Sequence, residues 1–321
     1  MTTLKDLDPD IHRFLETMRE DWKAWPALET MSFPEQRIAA ERVRERWTRG
    51  GPDMAVTEDF TFDFGAGVLG IRIYRPVADD TPLPALVYVH GGGFTLFNIN
   101  THDRLMREYA AQSGVVVIGV DYPLAPENKY PVALDRIEAL MLWLGEHAGR
   151  WKIDPGRIAM GGDSAGGNLS FATVMRLRDK GKAGLVKAIL SNYGGFSPHI
   201  SDEAEARFGG PGSIMDRAEA EQYWTNYLRG REDESDPQAC PLLGDVSGFP
   251  PVMLVIPDLD LVAEHSFAMQ ERLADADVDV ETKVYPGAVH SFLEAMSVSS
   301  LARQGIADGA AFIRKTLGGR P

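Results

Sequence analysis

A single cysteine, Cys240, stands in 321 residues, so no intramolecular disulfide forms and the fold rests on packing alone. Basic residues are the scarcer charge: 33 Lys and Arg against 47 Asp and Glu leave a net −14 at neutral pH. No run of Lys and Arg breaks this acidic background. That disfavours nucleic acid and anionic membrane surfaces as partners, because both select basic patches. Long apolar runs are missing too: the stretch from Val115 to Val120 is far short of the roughly 20 residues that span a bilayer, so no membrane insertion is expected. The opening MTTLKDLDPDIHRF carries acids where a secretory leader has a basic start and an apolar core, which points to a cytoplasmic chain. The remainder is ordinary, with 44% hydrophobic and 25% charged residues, and a chain of this length buries about three quarters of its unfolded surface. One large domain with a small accessory piece is expected.

Periodicity places the elements. Ile11, Phe14, Leu15 and Met18 repeat at helical spacing, Pro26 and Pro34 interrupt, and the pattern resumes from Ile38 to Trp47, so two or three short helices fill residues 1–50. After Gly50-Gly51-Pro52 the alternation becomes strand-like from Ala55 to Phe62 and from Val68 to Tyr74, with Gly65 and Gly67 between them, which reads as a hairpin. Beyond Ala85, apolar runs (LVYVH, VVVIGV, RIAMGG, VKAILS) alternate with helical stretches at Asp103 to Ser113, Val132 to His147 and Ser164 to Asp179. Strands apolar on both faces and separated by helices indicate a parallel sheet covered on both sides. The alternation breaks at residues 192–249, an insertion with one helical segment from Met215 to Leu228 and a solvated acidic run, REDESD. It then resumes with PVMLVI, a helix from Val262 to Ala276, VETKVY and a closing helix from Leu301 to Leu317.

The chemistry is signalled by combination. Gly162-Asp163-Ser164-Ala165-Gly166 is a G-x-S-x-G pattern between a strand and a helix, the setting that holds a serine in a strained, exposed turn. The helix start adds partial positive charge beside a developing oxyanion. His90-Gly91-Gly92-Gly93-Phe94 follows an apolar strand, and its glycines free backbone N–H groups to meet a substrate oxygen. An acid and a base are then required later in the chain. His290 follows the strand VETKVY, and either Asp258 or Asp260 follows PVMLVI; both places are carboxyl ends of strands, where such sheets put their sites. Of the seven histidines, His12 and His147 read as helix-surface residues, and His102, His199 and His265 lack strand-end context.

HGGGF, NTHDR, DYPLAPE, GDSAGGN and YPGAVHSF, in this order, resemble the hormone-sensitive-lipase-like group of α/β-hydrolases, the bacterial family IV esterases, and most of all its acetyl esterases. The resemblance runs from about residue 55 to the end. It implies an α/β-hydrolase fold, a mostly parallel eight-stranded sheet flanked by helices, formed by residues 51–321, with a helical cap made from residues 1–50 and the insertion at about 192–249. It implies Ser164 as nucleophile, His290 as general base and Asp260, rather than Asp258, as the acid, because the family's D-P-L-R-D-E segment aligns with Asp260 to His265. It places the oxyanion donors on the backbone of Gly92, Gly93 and Ala165. Leu261, Pro123 and Ser291 depart from the family's usual proline, arginine and glycine, with the loss of an ion pair expected at Pro123.

The expected activity is therefore hydrolysis of short-chain esters by a serine carboxylesterase, without cofactor or metal, on a small-molecule substrate. Amidase or lactonase activity would use the same triad. The plant gibberellin receptors share the resemblance but lack the catalytic histidine, which is present here as His290. A metal site at His90, His102 and Asp103 lacks recognisable ligand spacing. Phe94 and Tyr193 are the candidate substrate-binding residues, with Phe97, Phe208 and Trp224 as further aromatics of the loops and cap. The last strand, Val280 to Tyr285, would be a sheet edge able to pair with its copy, so a homodimer is expected.

Overall fold

The computed structural model describes residues 6–210 and 213–319; the first five residues of the expected N-terminal segment, and residues 211–212, 320 and 321 of the expected catalytic domain, lie outside it. Eight strands form one sheet: β1 (Val56–Asp63), β2 (Val68–Arg75), β3 (Leu83–Val89), β4 (Val116–Asp121), β5 (Ile153–Asp163), β6 (Val186–Asn192), β7 (Val252–Pro257) and β8 (Val280–Tyr285). Their spatial order is β1-β2-β4-β3-β5-β6-β7-β8. β2 pairs antiparallel with β1 and with β4, and every other pair is parallel. The central strands are buried on both faces, and β3 is buried at every position, which explains their unbroken apolar sequences.

The helices divide between the two faces. α4 (Val132–His147), α5 (Ala165–Asp179) and α8 (Ala263–Asp275) cover one, together with the β3 side chains Ala85, Val87 and Val89. α1 (Pro9–Trp22), α3 (Asp103–Ser113) and α9 (Ser300–Leu317) cover the other, against Leu86 and Tyr88. Ile11, Phe14, Leu15 and Met18 of α1 are all buried, each contributing about 1.5–3 kcal/mol by leaving water. The backbone N–H of Asp8, the N-cap of α1, donates to the Gly287 carbonyl at 3.0 Å, so the N-terminal helix docks beside the loop that follows β8.

α2 (Phe33–Arg44) packs on α1. Between β6 and β7 lie α6 (Asp202–Phe208) and α7 (Arg217–Tyr227). The sequence pattern shows only the second: α6 is seven residues long and acidic, and its start is fixed locally by the Ala204 N–H donating to Ser201 Oγ at 3.0 Å. The REDESD run is a short 3-10 helix over Arg231–Ser235 rather than a fully solvated loop. Its Asp233 is 2% exposed and accepts from the backbone N–H and the Nε of Arg229 at 2.9 and 3.0 Å. Pro123 leaves no missing anchor either, since Arg37 of α2 holds the DYPLAPE segment through Glu127 and the Ala125 carbonyl.

Candidate active site

β5 runs straight into Ser164, and α5 begins at the next residue. Ser164 has φ 52° and ψ −116°, a region that costs a non-glycine residue about 1–3 kcal/mol and persists only where the surroundings impose it. Here they do. The Ser164 N–H donates to the Asn192 carbonyl at 2.9 Å, and the Ser164 carbonyl accepts from Asn168 and Gly195, both at 3.2 Å. The first turn of α5 also lies directly against the end of β3, where a Cβ on Gly166 would collide with the Val89 carbonyl. The turn is thus built by close packing that only glycine permits.

Two further loops converge on this serine. His290 follows β8, and Asp260 follows β7. The Ser164 hydroxyl meets His290 Nε2 at 2.9 Å, and His290 Nδ1–H donates to Asp260 Oδ2 at 2.8 Å. Asp260 Oδ1 accepts the Val262 N–H at 3.1 Å. Asp258 points elsewhere and accepts from the Gly287 backbone at 2.8 Å. Burial pushes the His290 imidazole toward its neutral form, but the charge and hydrogen bond of Asp260 outweigh it and hold the pKa above 6.5.

Gly92 and Gly93, with φ 115° and 58°, line a cavity of about 410 Å³ together with Ser164 and His290. Ala165 heads α5, so its backbone N–H belongs to the unpaired first turn. The glycine loop is registered to the serine turn by Asp163. Its Oδ1 accepts from the Gly91 N–H and the Tyr88 hydroxyl, both at 3.0 Å. Its Oδ2 lies 3.2 Å from His102 Nε2. Burial opposes the charge on Asp163, yet His102 keeps its carboxyl below the usual range. Burial likewise opposes the charge on His102, which Asp163 and Glu294 restore. Asp163→Ala leaves the Gly91 N–H, the Tyr88 hydroxyl and the His102 imidazole without their buried partner. The expected cost is about 3–5 kcal/mol, read as a lower urea midpoint at unchanged slope.

Sequence context alone left His102 unremarkable, whereas it is 2% exposed and paired. Phe94 and Tyr193, expected on the substrate wall, are not among the cavity-lining residues. Phe94 is 4% exposed; its ring stacks on Tyr227 at 3.8 Å and meets Trp224 edge-on at 5.4 Å. Tyr193 packs edge-on against the His290 imidazole at 5.0 Å. Phe208 and Trp224 are buried as well, and of the aromatics singled out only Phe97 reaches the wall. The wall instead comes from Met18 and Trp22 of α1, Trp25, Arg44 of α2, and Glu219 and Tyr223 of α7. A signal existed in the tryptophans of the N-terminal segment, but not the docking that aims them here.

Tyr223 is also a partition. Its ring occupies the space a Cβ on Gly93 would need, and its hydroxyl donates to Glu219 Oε1 at 2.9 Å. Burial holds the Glu219 carboxyl above its ordinary range. A second cavity of about 630 Å³ between α2 and α7 shares Leu28, Leu96, Glu219 and Tyr223 with the first, so these four side chains are the wall between them. Among the described residues, no group of three or more His, Cys, Asp or Glu side chains could hold a metal ion, and no helix is long and apolar enough to cross a membrane.

Comparison with known proteins agrees with the fold. Residues 86–294 match the model of a family described as having the alpha/beta hydrolase fold. A hyperthermophilic esterase from the archaeon Pyrobaculum calidifontis superposes with a TM-score of 0.89 at 28% identity, over 96% of this chain and 98% of that one. An alpha/beta hydrolase from the metagenome of Lake Arreo, Spain, reaches 0.91 at 29% identity, over 98% and 99%. A thermophilic, thermostable carboxylesterase cloned from a metagenomic library reaches 0.86 at 29%, over 91% and 99%. The chain belongs to the α/β-hydrolase fold family, in agreement with the hormone-sensitive-lipase-like resemblance of its motifs.

Proposed function

We propose that this chain is a serine carboxylesterase that hydrolyses short-chain acyl esters, acetyl to about hexanoyl. The observation that carries the proposal is the unbroken hydrogen-bond line from the Ser164 hydroxyl through His290 to Asp260, opening on a cavity also lined by Gly92 and Gly93. Ser164 Oγ attacks the ester carbonyl carbon while His290 Nε2 takes its proton. The oxyanion receives hydrogen bonds from the backbone of Gly92, Gly93 and Ala165; removing one such donor costs about 10²–10³ in rate. Collapse expels the alcohol, which leaves with the proton from His290, and the acyl group stays on Ser164. Water, deprotonated by His290, then attacks the acyl-enzyme and returns the serine. Asp260 fixes the tautomer with Nδ1 protonated and stabilises the imidazolium. The N-terminal helices and α6–α7 act as the cap that shapes the cavity, and β8, at the sheet edge, is the face for pairing two copies.

Initial rates on p-nitrophenyl esters from acetate to palmitate test the function. The expected profile peaks between two and six carbons. No turnover on any rung by folded protein would refute it and favour an amide, a lactone or a ligand-binding role.

The short-chain limit is assigned to Tyr223. In Tyr223→Ala the two cavities join, and each additional methylene admitted contributes about 0.8 kcal/mol. The expected result is an optimum at least two carbons longer and kcat/KM for the octanoate raised about tenfold. An unchanged ladder would show that the wall lies elsewhere.

A further inference from the structure

Arg44 projects from the last turn of α2 into the wall of the Ser164 cavity and is 3% exposed. Its guanidinium lies 4.6 Å over the Phe97 ring, and Met18, Trp22 and Trp25 line the same cavity. Behind it, Nη1 is 3.2 Å from Glu294 Oε2 in a buried ion pair. That pair balances charge without satisfying the donors: Nε and Nη1 are both buried with no hydrogen-bond partner among the described residues. Glu294 is itself shared, its Oε1 facing His102 Nε2 at 3.6 Å. Behind the wall, acidic and basic side chains alternate through Asp163, His102, Glu294 and Arg44. Charge is compensated there, whereas the Nε and Nη1 donors of this cavity-lining side chain are left without acceptors among the described residues.

A buried donor without an acceptor is rare in a folded protein and marks a place where a ligand or water completes the group. A guanidinium presents its N–H groups as a planar fork matched to two oxygens on one carbon. In an apolar wall, a neutral analogue would leave that fork unpaired and be discriminated against. Glu219, the one acidic side chain among the described residues of the cavity wall, bonds to Tyr223 and does not occupy the fork.

We propose that Arg44 receives a free carboxylate carried by the substrate, so that preferred substrates are half-esters of small dicarboxylic acids or similarly placed carboxylate-bearing esters. This rests on the serine esterase reading above and adds the polar feature that selects among esters.

The test compares kcat/KM for monomethyl glutarate with that for dimethyl glutarate, by pH-stat, in the wild type, Arg44→Lys and Arg44→Met, with p-nitrophenyl acetate as the check on basic chemistry. The wild type is expected to favour the half-ester at least about tenfold. Arg44→Lys, which keeps charge but loses the fork, lowers that ratio several-fold, and Arg44→Met abolishes it. The ratio is read within each variant, so a general loss of activity cancels. Should Arg44→Met fail to fold with Glu294 left unpaired, inhibition of p-nitrophenyl acetate turnover by glutarate gives the same information. It is expected to be competitive in the wild type and weakened in Arg44→Lys. Turnover of p-nitrophenyl acetate with no half-ester preference would overturn the Arg44 assignment and leave the esterase standing. No turnover of any ester would overturn both.

Discussion

Replacing Ser164 by alanine is expected to lower kcat on short p-nitrophenyl esters by about 10⁵–10⁶-fold. The loss is this large because the remaining groups have nothing to activate: His290 Nε2 has the Ser164 hydroxyl as its partner at 2.9 Å, and the glycine loop stabilises an oxyanion only after attack has occurred. The fold should survive. Ser164 is held by backbone hydrogen bonds to Asn192, Asn168 and Gly195 that alanine retains, and its left-handed φ of 52° strains alanine much as it strains serine. Circular dichroism and a melting midpoint within a few degrees of wild type are therefore expected beside the kinetic loss. Activity within tenfold of wild type would show that another nucleophile does the work.

Asp260→Asn is expected to reduce kcat by about 10⁴-fold and to move the acid limb of the pH profile. In the wild type the limb reflects protonation of His290, which must be neutral to act as base. Burial lowers the imidazole pKa and Asp260 raises it further than burial lowers it, so the group lies above 6.5. Activity thus falls as pH drops through a point on the alkaline side of an ordinary histidine. With asparagine at 260 the charge is gone and burial prevails, so the residual activity persists to lower pH than in the wild type. A limb at an unchanged position, in a variant of reduced rate, would mean that it belongs to a different group. His102 is the alternative to inspect, since it is also buried, and Asp163 and Glu294 raise its pKa against the effect of burial.

What the sequence revealed follows from the range of the forces involved. α3 and α4 begin and end where the apolar spacing says, at Asp103–Ser113 and Val132–His147, because each is a single amphipathic or buried run with local stop signals. The meeting of Ser164, His290 and an acid after β7 was legible because each sits at the carboxyl end of a strand, and a parallel sheet brings those ends together whatever the loops do; the choice of Asp260 over Asp258 came from the family resemblance. The substrate wall was not legible. Arg44, Trp25 and Tyr223 meet only after α1 docks on the loop following β8 and α7 folds over Gly93, contacts that no local pattern encodes. Phe94 shows the same limit from the other side. Its place beside the glycine loop suggested a wall residue, but with φ at 60° its ring lies flat on Tyr227. Asp163 and His102 lie inside the GDSAGGN and NTHDR motifs, yet their pairing spans 61 residues and emerges only when β3, β5 and α3 are packed together.

The central claim is that Ser164 becomes covalently acylated. The direct measurement is intact-mass analysis after incubation with a p-nitrophenyl alkylphosphonate, followed by peptide mapping. One phosphonyl group per chain, located on Ser164, with release of one p-nitrophenolate and no adduct in Ser164→Ala, is the expected result. An unmodified chain after complete loss of activity, or an adduct on any other residue, would contradict the account.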